Sequence, residues 1–178
     1  MIQLISVLKE DIKNHGGESF SRSLLILFFN VSFRLVLNYR IGRFLHERRN
    51  SFFSLIILFL KKRQLIRYNC DISYQAKIGR RILFPHPLSI VIGNGVEIGD
   101  DVMIWQGVTL GSHGKSGDDD KGYPSIRNCV KLFTDCKVLG PIEIGEYSRV
   151  GSSALVTKSV LASHFAFGIP AITKKIRN

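Results

Sequence analysis

The sequence contains few cysteines, and their arrangement argues against two classes of small protein. Cys70, Cys129 and Cys136 are odd in number and form no CxxC pair. The sequence therefore predicts neither a disulfide framework nor a zinc site. It indicates reduced thiols in a cytoplasmic protein.

Long apolar runs are also absent. The longest, 24–29 and 55–60, fall well short of the roughly 20 residues that span a bilayer. Charged residues are mixed into the apolar residues of 1–17, unlike a secretory signal peptide. The phosphate-binding patterns GxxxxGKS/T and GxGxxG and clusters of metal-ligand residues are missing as well. We therefore expect a cytoplasmic protein without a bound metal.

Acidic residues are scarce in the first third of the chain. The 178 residues include 25 Lys and Arg against 14 Asp and Glu, a net charge of +11. Up to Tyr68 there are twelve basic and four acidic residues, and the remainder has thirteen and ten. The basic character therefore belongs mainly to the first third, and anionic partners such as lipid headgroups deserve consideration.

Residues 1–68 are predicted to form a helical N-terminal segment. Apolar residues recur at helical spacing up to Gly16 and Gly17, again in 19–45, and again in 52–66. The second and third helices are more apolar than half-exposed helices need to be. Two interpretations stay open: packing within the protein or against another subunit, and contact with a membrane surface.

From about residue 71 the apolar residues recur every six positions. The large aliphatic position is occupied by Ile72, Ile78, Ile92, Ile98, Ile104, Leu110, Ile126, Leu132, Val138, Ile144, Val150 and Val156. Four residues after most of these stand mainly small or β-branched residues, namely Ala76, Ile82, Val96, Val102, Val108, Val130, Cys136, Ile142, Ser148, Ala154 and Val160. A period of six fits neither a helix nor an alternating strand. It predicts a solenoid in which each hexapeptide forms one face of a triangular prism and three complete a coil.

The predicted solenoid covers 69–165 and is followed by a C-terminal tail, 166–178. Its repeat is broken twice. Between Phe84 and Ile92 the register slips by two residues, and an insertion of about ten residues forms a polar loop at 112–124. Loops that interrupt a regular solenoid often carry function.

The repeat resembles that of the hexapeptide-repeat acyltransferases, whose fold is a left-handed parallel β-helix. Within that group the chain is similar to serine acetyltransferases and to related sugar O-acetyltransferases of surface-polysaccharide pathways. The most specific stretches are 71–79, His86, 108–111 and 114–117. The resemblance implies a mainly β fold, a left-handed β-helix with an N-terminal helical segment, and acetyl-CoA as the co-substrate.

The family uses a His–Asp pair, and the matching residues here are His86 and Asp71, fifteen positions apart. Fifteen residues is close to one coil once the register slip is allowed for, so we expect the two side chains to be near enough to hydrogen-bond. A neutral imidazole can take a proton from an alcohol near neutral pH as that alcohol attacks the thioester. The carboxylate would orient the imidazole and stabilise its charged form.

The resemblance also implies a CoA groove between two β-helices of a trimer or a multiple of three. The matching positions for CoA are Gly111, Ser112, Lys115, Thr134, Ser152 and Lys174, with the turn 168–171 and Lys175 nearby. His113 and Tyr123, in the polar loop, are the candidates for contact with the acceptor.

Three positions depart from the pattern of the serine acetyltransferases. Pro85 replaces the acid beside the catalytic His, while Gly122 and Tyr123 replace the Arg and His that help to hold the amino-acid acceptor. Burying a charged amino acid without partner charges is costly, whereas a sugar can be bound by an aromatic face and hydrogen bonds.

The expected function is therefore acetyl transfer to a sugar hydroxyl in surface-polysaccharide biosynthesis, with L-serine as a poor acceptor. The alternative is a serine O-acetyltransferase of cysteine biosynthesis. A third interpretation is a non-catalytic scaffold or a nucleic-acid binder. It lacks any recognised nucleic-acid motif, so no nucleic-acid partner is expected.

Overall fold

The computed structural model describes residues 2–48, 50–112 and 122–176. It consists of an N-terminal helical segment followed by a parallel β-helix. The helical elements are α1 (Ile2–Asn14), α2 (Phe20–Phe29), α3 (Val31–Glu47), a short 3₁₀ turn (Ser51–Phe53) and α4 (Ser54–Tyr68).

The second predicted helix is two helices rather than one. Asn30 breaks it with an extended backbone at φ −78° and ψ 109°, and the axes of α2 and α3 meet at 82°. The Oδ1 atom of Asn30 accepts a hydrogen bond from the Phe33 amide at 2.9 Å, which caps the start of α3. An asparagine inside an apolar run thus ends one helix and begins the next, which the apolar spacing alone does not reveal.

The described part of the solenoid has three sheets, called faces A, B and C, which the chain visits in that order. Face A contains β1 (Asp71–Ile72), β3 (Val91–Ile92), β6 (Thr109–Gly111), β9 (Lys137–Leu139) and β12 (Leu155–Val156). Face B contains β2 (Lys77–Ile78), β4 (Glu97–Ile98), β7 (Ser125–Ile126) and β10 (Glu143–Ile144). Face C contains β5 (Met103–Ile104), β8 (Lys131–Leu132), β11 (Arg149–Val150), β13 (His164–Phe167) and β14 (Ile172–Lys175).

The six-residue period corresponds to this triangular cross-section. In most of the two-residue strands the first residue is exposed and the second is buried in the prism, as in β1, β2, β3 and β4. The residues four positions later fill the corners. Ser148, the one hydroxyl among them, is buried and donates to Leu161 O at 2.8 Å. Each aliphatic side chain fully buried in such a stack contributes about 1.5–3 kcal/mol.

The parallel stacking ends at the C-terminus. Strand β13 pairs in parallel with β11 and runs past residue 165, where we expected the solenoid to end. The chain then turns back, so that β14 pairs with β13 in the antiparallel direction and forms the outer edge of face C.

A buried ion pair joins the helical segment to the first coil. Arg40 on α3 donates from Nε to Oδ2 of Asp11 on α1 at 2.9 Å, and it donates from the rest of its guanidinium to the carbonyls of Ile78 and Gly79. Asp11 is fully buried and also accepts from the Arg81 amide at 2.8 Å. These contacts fix α1 and α3 against the corner that follows β2.

Candidate functional site

His86 lies in an insertion at the corner between faces C and A. Leu83 pairs with Met103, a separation of twenty residues, whereas Val91 pairs with Thr109, a separation of eighteen. The two extra residues are therefore accommodated in the corner that contains His86. They move the His86 side chain out of the regular wall of the prism, and this side chain is exposed.

The backbone of this corner is held on both sides. Pro85 and Pro87 flank His86, and each has its φ angle fixed by its ring. The Leu88 amide donates to His86 O at 2.8 Å, and the Gly107 amide donates to Leu88 O at 3.0 Å. Gly107 has φ +72°, a backbone conformation that favours glycine, and a Cβ there would also meet Oδ1 of Asp135.

Asp71 is the first residue of β1, on the outer side of face A beside this corner. Its carboxylate Oδ1 is ion-paired with Nζ of Lys61 on α4. The same ammonium donates to Ile72 O at 3.0 Å and to Oε1 of Gln64 at 3.5 Å. It also lies 5.6 Å from the centroid of the Tyr74 ring. Lys61 therefore fixes the Asp71 side chain and ties α4 to the start of the solenoid.

The expected hydrogen bond between Asp71 and His86 is not formed in the structure. Within residues 2–48, 50–112 and 122–176, the Asp71 carboxylate is engaged by Lys61 through Oδ1, and the His86 ring makes no hydrogen bond. The sequence comparison with the family missed Lys61 because the contact joins a helix to a strand across a turn. A carboxylate can accept several hydrogen bonds, so Lys61 on Oδ1 leaves Oδ2 able to accept another donor.

Two of the residues expected to bind CoA lie on the same edge of the prism as His86. The Asp135 amide donates to Gln106 O at 3.0 Å, and the Ser153 amide donates to Thr134 O at 2.8 Å. Gln106, Thr134 and Ser152 therefore occupy equivalent positions in successive coils, at the corner between faces C and A. In the part of the chain that the structure describes, Oε1 of Gln106 is buried without a hydrogen-bond partner.

The other expected site residues lie elsewhere. Gly111 ends β6 and Ser112 follows it, at the corner between faces A and B where the polar loop leaves the solenoid. Lys174 lies on β14, at the outer edge of face C, beside a cleft of about 250 Å³ that Phe133, Arg149 and Phe165 also line. His113 and Lys115 fall outside the described residues. One chain thus distributes the expected residues over two edges and one face.

Tyr123 packs against its own chain. Its ring lies so close to Gly93 and Gly95 that a Cβ at either position would overlap it. The ring is partly buried against the hydrophobic core. The aromatic face that we expected to stack on a sugar is therefore covered, at least in part, by the turn after β3.

Asp71 also borders a cleft of about 310 Å³ between the helices and the first two coils. Its wall includes Lys61, His46, Ser73 and Asn94. His86 is not part of this wall, which again separates the two residues of the expected pair. Both signs of charge are present in the cleft.

Two curated relatives cover most of this chain. The serine acetyltransferase of Haemophilus influenzae is 36% identical over 146 residues, which are 82% of this chain and 52% of that protein. The serine acetyltransferase of Helicobacter pylori J99 is 36% identical over 150 residues, which are 83% of this chain and 84% of that protein. The chain thus spans about half of the longer relatives and most of the shorter one. No protein-family model matches the chain.

Solved structures give the same result for the fold. The serine acetyltransferase of Neisseria gonorrhoeae superposes with a TM-score of 0.85 at 25% identity and covers 100% of this chain and 68% of that one. The Brucella abortus serine acetyltransferase in complex with coenzyme A gives 0.82 at 28% identity, over 94% of this chain and 66% of that one. The predicted left-handed β-helix with an N-terminal helical segment is confirmed.

The expected sugar acceptor is wrong. These relatives are serine acetyltransferases, and the similarity runs through both the helical segment and the solenoid. The error has a physical origin, because the substitution at Tyr123 reflects packing on Gly93 and Gly95 rather than an aromatic platform for a sugar ring.

Proposed function

The chain belongs to the serine acetyltransferase family, and from this premise we propose that it transfers the acetyl group of acetyl-CoA to the hydroxyl of L-serine. The observation that carries the proposal is 36% identity over 83% of this chain and 84% of the H. pylori relative. Its product would be O-acetylserine, which places the chain in cysteine biosynthesis.

His86 is proposed as the general base. The serine hydroxyl oxygen attacks the thioester carbonyl carbon while its proton passes to the His86 imidazole. This attack forms the C–O bond of a tetrahedral intermediate. Collapse of the intermediate breaks the C–S bond, and the proton on the imidazole passes to the departing thiolate of CoA. The exposed position of His86 on an insertion suits a base that must reach two substrates.

Asp71 is proposed as the carboxylate that orients this imidazole. Lys61 holds its Oδ1 atom, so the rotamer of Asp71 is set before any substrate binds. Oδ2 can then accept the imidazole N–H when the His86 side chain turns toward face A, because hydrogen bonds at catalytic sites often tighten only in the complex with substrate.

CoA is proposed to lie along the edge between faces C and A. Thr134 and Ser152 share this edge with His86, whereas the basic side chains Lys174 and Lys175 lie on β14, at the outer edge of face C. Gly111 and Ser112 lie on a different edge, so one chain cannot bring all of these residues to one CoA molecule. This separation supports a trimer, in which the edge of one subunit meets a face of the next.

L-Serine is a zwitterion, and the cleft beside Asp71 contains side chains of both signs. Lys61 and His46 lie in its wall together with the carboxylate of Asp71. Because Lys61 and Asp71 are paired with each other, His46, Ser73 and Asn94 are the polar residues of the same wall that remain to contact the acceptor.

The proposal is tested by incubating the full chain with acetyl-CoA and L-serine, and by following thiol release and product mass. We expect O-acetylserine with L-serine, and CoA release no faster than background with L-alanine, which lacks the hydroxyl. Absence of O-acetylserine at millimolar L-serine, with acetyl-CoA binding retained, would overturn the proposal. Light scattering that shows an active monomer would contradict the trimer.

A further inference from the structure

The helical segment exposes a large apolar surface that the β-helix does not cover. Helix α2 and the 3₁₀ turn bury no residue, and α4 buries only Gln64 and Tyr68. We call the exposed large side chains of these elements the apolar helical surface; they are Phe20, Leu24, Leu25, Phe28, Phe29, Phe52, Leu55, Ile56, Leu58, Phe59, Leu65 and Ile66. Soluble monomers rarely expose so many large apolar side chains in neighbouring elements, and such patches commonly mark interaction sites.

Helices α2 and α4 border a common groove. A groove of about 350 Å³ runs between α2, α3 and α4, and its walls include Phe28 from α2, Leu37 and Ile41 from α3, and Leu60 from α4. Helices α2 and α4 therefore border the same groove, and the exposed Phe28 lies in its wall.

The charge around this surface is predominantly positive. Between residues 19 and 70 there are ten Lys and Arg and a single acidic residue, Glu47. Neither α2 nor α4 contains an Asp or Glu. Arg22 on α2 and Lys62 and Arg67 on α4 are exposed, so basic side chains lie on the same two helices as the apolar residues.

From these observations we propose that the apolar helical surface docks on an anionic lipid bilayer, with the basic side chains at the headgroups and the aromatic and aliphatic side chains in the interface. Helices of this kind lie in the plane of the membrane. In the described part of the chain, no single helix is long and apolar enough to span a membrane. Helices α2 and α3 together have the length and composition of a span, but their axes are bent by 82°.

A second copy of the chain is a poorer occupant. Two such surfaces facing each other would bring Arg22, Lys62 and Arg67 of both copies together without an acidic partner on α2 or α4. Like charges repel at an interface. Anionic headgroups instead supply the missing negative charge, at a gain of about five-fold in affinity for each basic side chain near the bilayer surface.

The test is sedimentation of the full-length chain with vesicles of phosphatidylcholine alone and of phosphatidylcholine with about one third phosphatidylglycerol. We expect at least about ten-fold stronger binding to the anionic vesicles, weakened by salt. The variant Leu55→Glu/Phe59→Glu should lose about ten-fold or more, since it removes two side chains from the interface and adds two negative charges.

The control is Leu161→Glu/Ile172→Glu, which places the same charges on exposed apolar positions of the solenoid. It should bind vesicles like the parent chain. All four positions are exposed, and circular dichroism spectra matching the parent establish the fold of each variant. Equal binding to neutral and anionic vesicles, or unchanged binding of Leu55→Glu/Phe59→Glu, would overturn the proposal. The proposal would also be overturned if the parent chain did not bind vesicles and Leu55→Glu/Phe59→Glu formed a smaller oligomer than the parent. That result would assign the surface to contact between copies of the chain.

Discussion

The ammonium of Lys61 on α4 holds the carboxylate of Asp71 on β1, so the residue proposed to orient the catalytic base is itself oriented by the helical segment. Asp71 is about half-exposed, with 55% of its side chain accessible, and an exposed carboxylate without a partner samples several rotamers. The position of this carboxylate therefore depends on where α4 lies against the first coil.

Removal of Lys61 should affect turnover more than binding. In Lys61→Met we expect kcat to fall by up to about ten-fold, less than the 10²–10⁴-fold typical of losing a general base, with the KM for acetyl-CoA unchanged. Lys62→Met, at the exposed neighbouring position, is the matched control. Steady-state kinetics of both variants measure this difference. Equal kcat values for the two variants would show that Lys61 does not position Asp71 for catalysis.

His86→Ala should abolish acetyl transfer. We expect a loss of about 10²–10⁴-fold in kcat, with the fold and CoA binding retained because the side chain is exposed and outside the core. Asp71→Asn should lose less, since the imidazole remains but is poorly oriented. His164→Ala, on β13, is the control. More than about a third of parental activity in His86→Ala would exclude this residue as the base.

The Asp11–Arg40 pair should be among the most sensitive points for stability. Asp11→Ala leaves the buried guanidinium of Arg40 without its charge partner, and we expect a loss of about 3–5 kcal/mol in the free energy of unfolding. Glu10→Ala, one position away, removes only the ion pairs with Arg80 and Arg81 and should cost about 1 kcal/mol or less. Urea unfolding of both variants measures the difference, and similar midpoints would contradict it.

His15 should make stability depend on pH. Burial lowers the pKa of its imidazole, although the carbonyl and carboxylate of Asp11 act in the opposite direction. The folded state therefore favours the neutral ring. The stability that this ring contributes is fully present above its unfolded pKa of about 6.5 and is lost as pH falls toward the lower folded value.

We therefore expect the midpoint of unfolding to decrease as pH falls from about 7.5 to about 5. In His15→Gln, the slope of this midpoint against pH should be smaller. The slope, rather than the absolute midpoint, is compared because the substitution also changes the contact of Nε2 with Ser32 Oγ, 3.0 Å apart. His46→Gln, at an exposed position, should keep the parental slope. A parental slope in His15→Gln would assign the pH dependence to other groups.

The spacing of apolar residues predicts the solenoid because one hexapeptide corresponds to one face. The same spacing locates the slip that contains His86, since the partners of Leu83 and Val91 differ by two residues in separation. The break at Asn30 is not visible in this way. When the apolar pattern continues on both sides, its spacing does not distinguish a polar residue that caps a helix from a polar residue within a helix.

The acceptor could not be predicted from the loop substitutions alone. The sequence predicts that Tyr123 contacts the acceptor, but its ring packs on Gly93 and Gly95, which stand thirty and twenty-eight residues earlier in the chain. Likewise, the link between Lys61 and Asp71 depends on how α4 docks on β1. Contacts of this kind follow from tertiary packing, and no local spacing in the sequence encodes them.

The reversed direction of β14 has a consequence for how long the solenoid can become. A stack of parallel coils presents open backbone groups at each end, and a second molecule could in principle continue the stack. At the first coil α4 packs beside β1, and at face C the chain returns along its own last strand with Lys174 and Lys175 on the outer edge. Charged side chains on an edge strand discourage pairing with another chain. The molecule is therefore protected at these two places against end-to-end fibre growth.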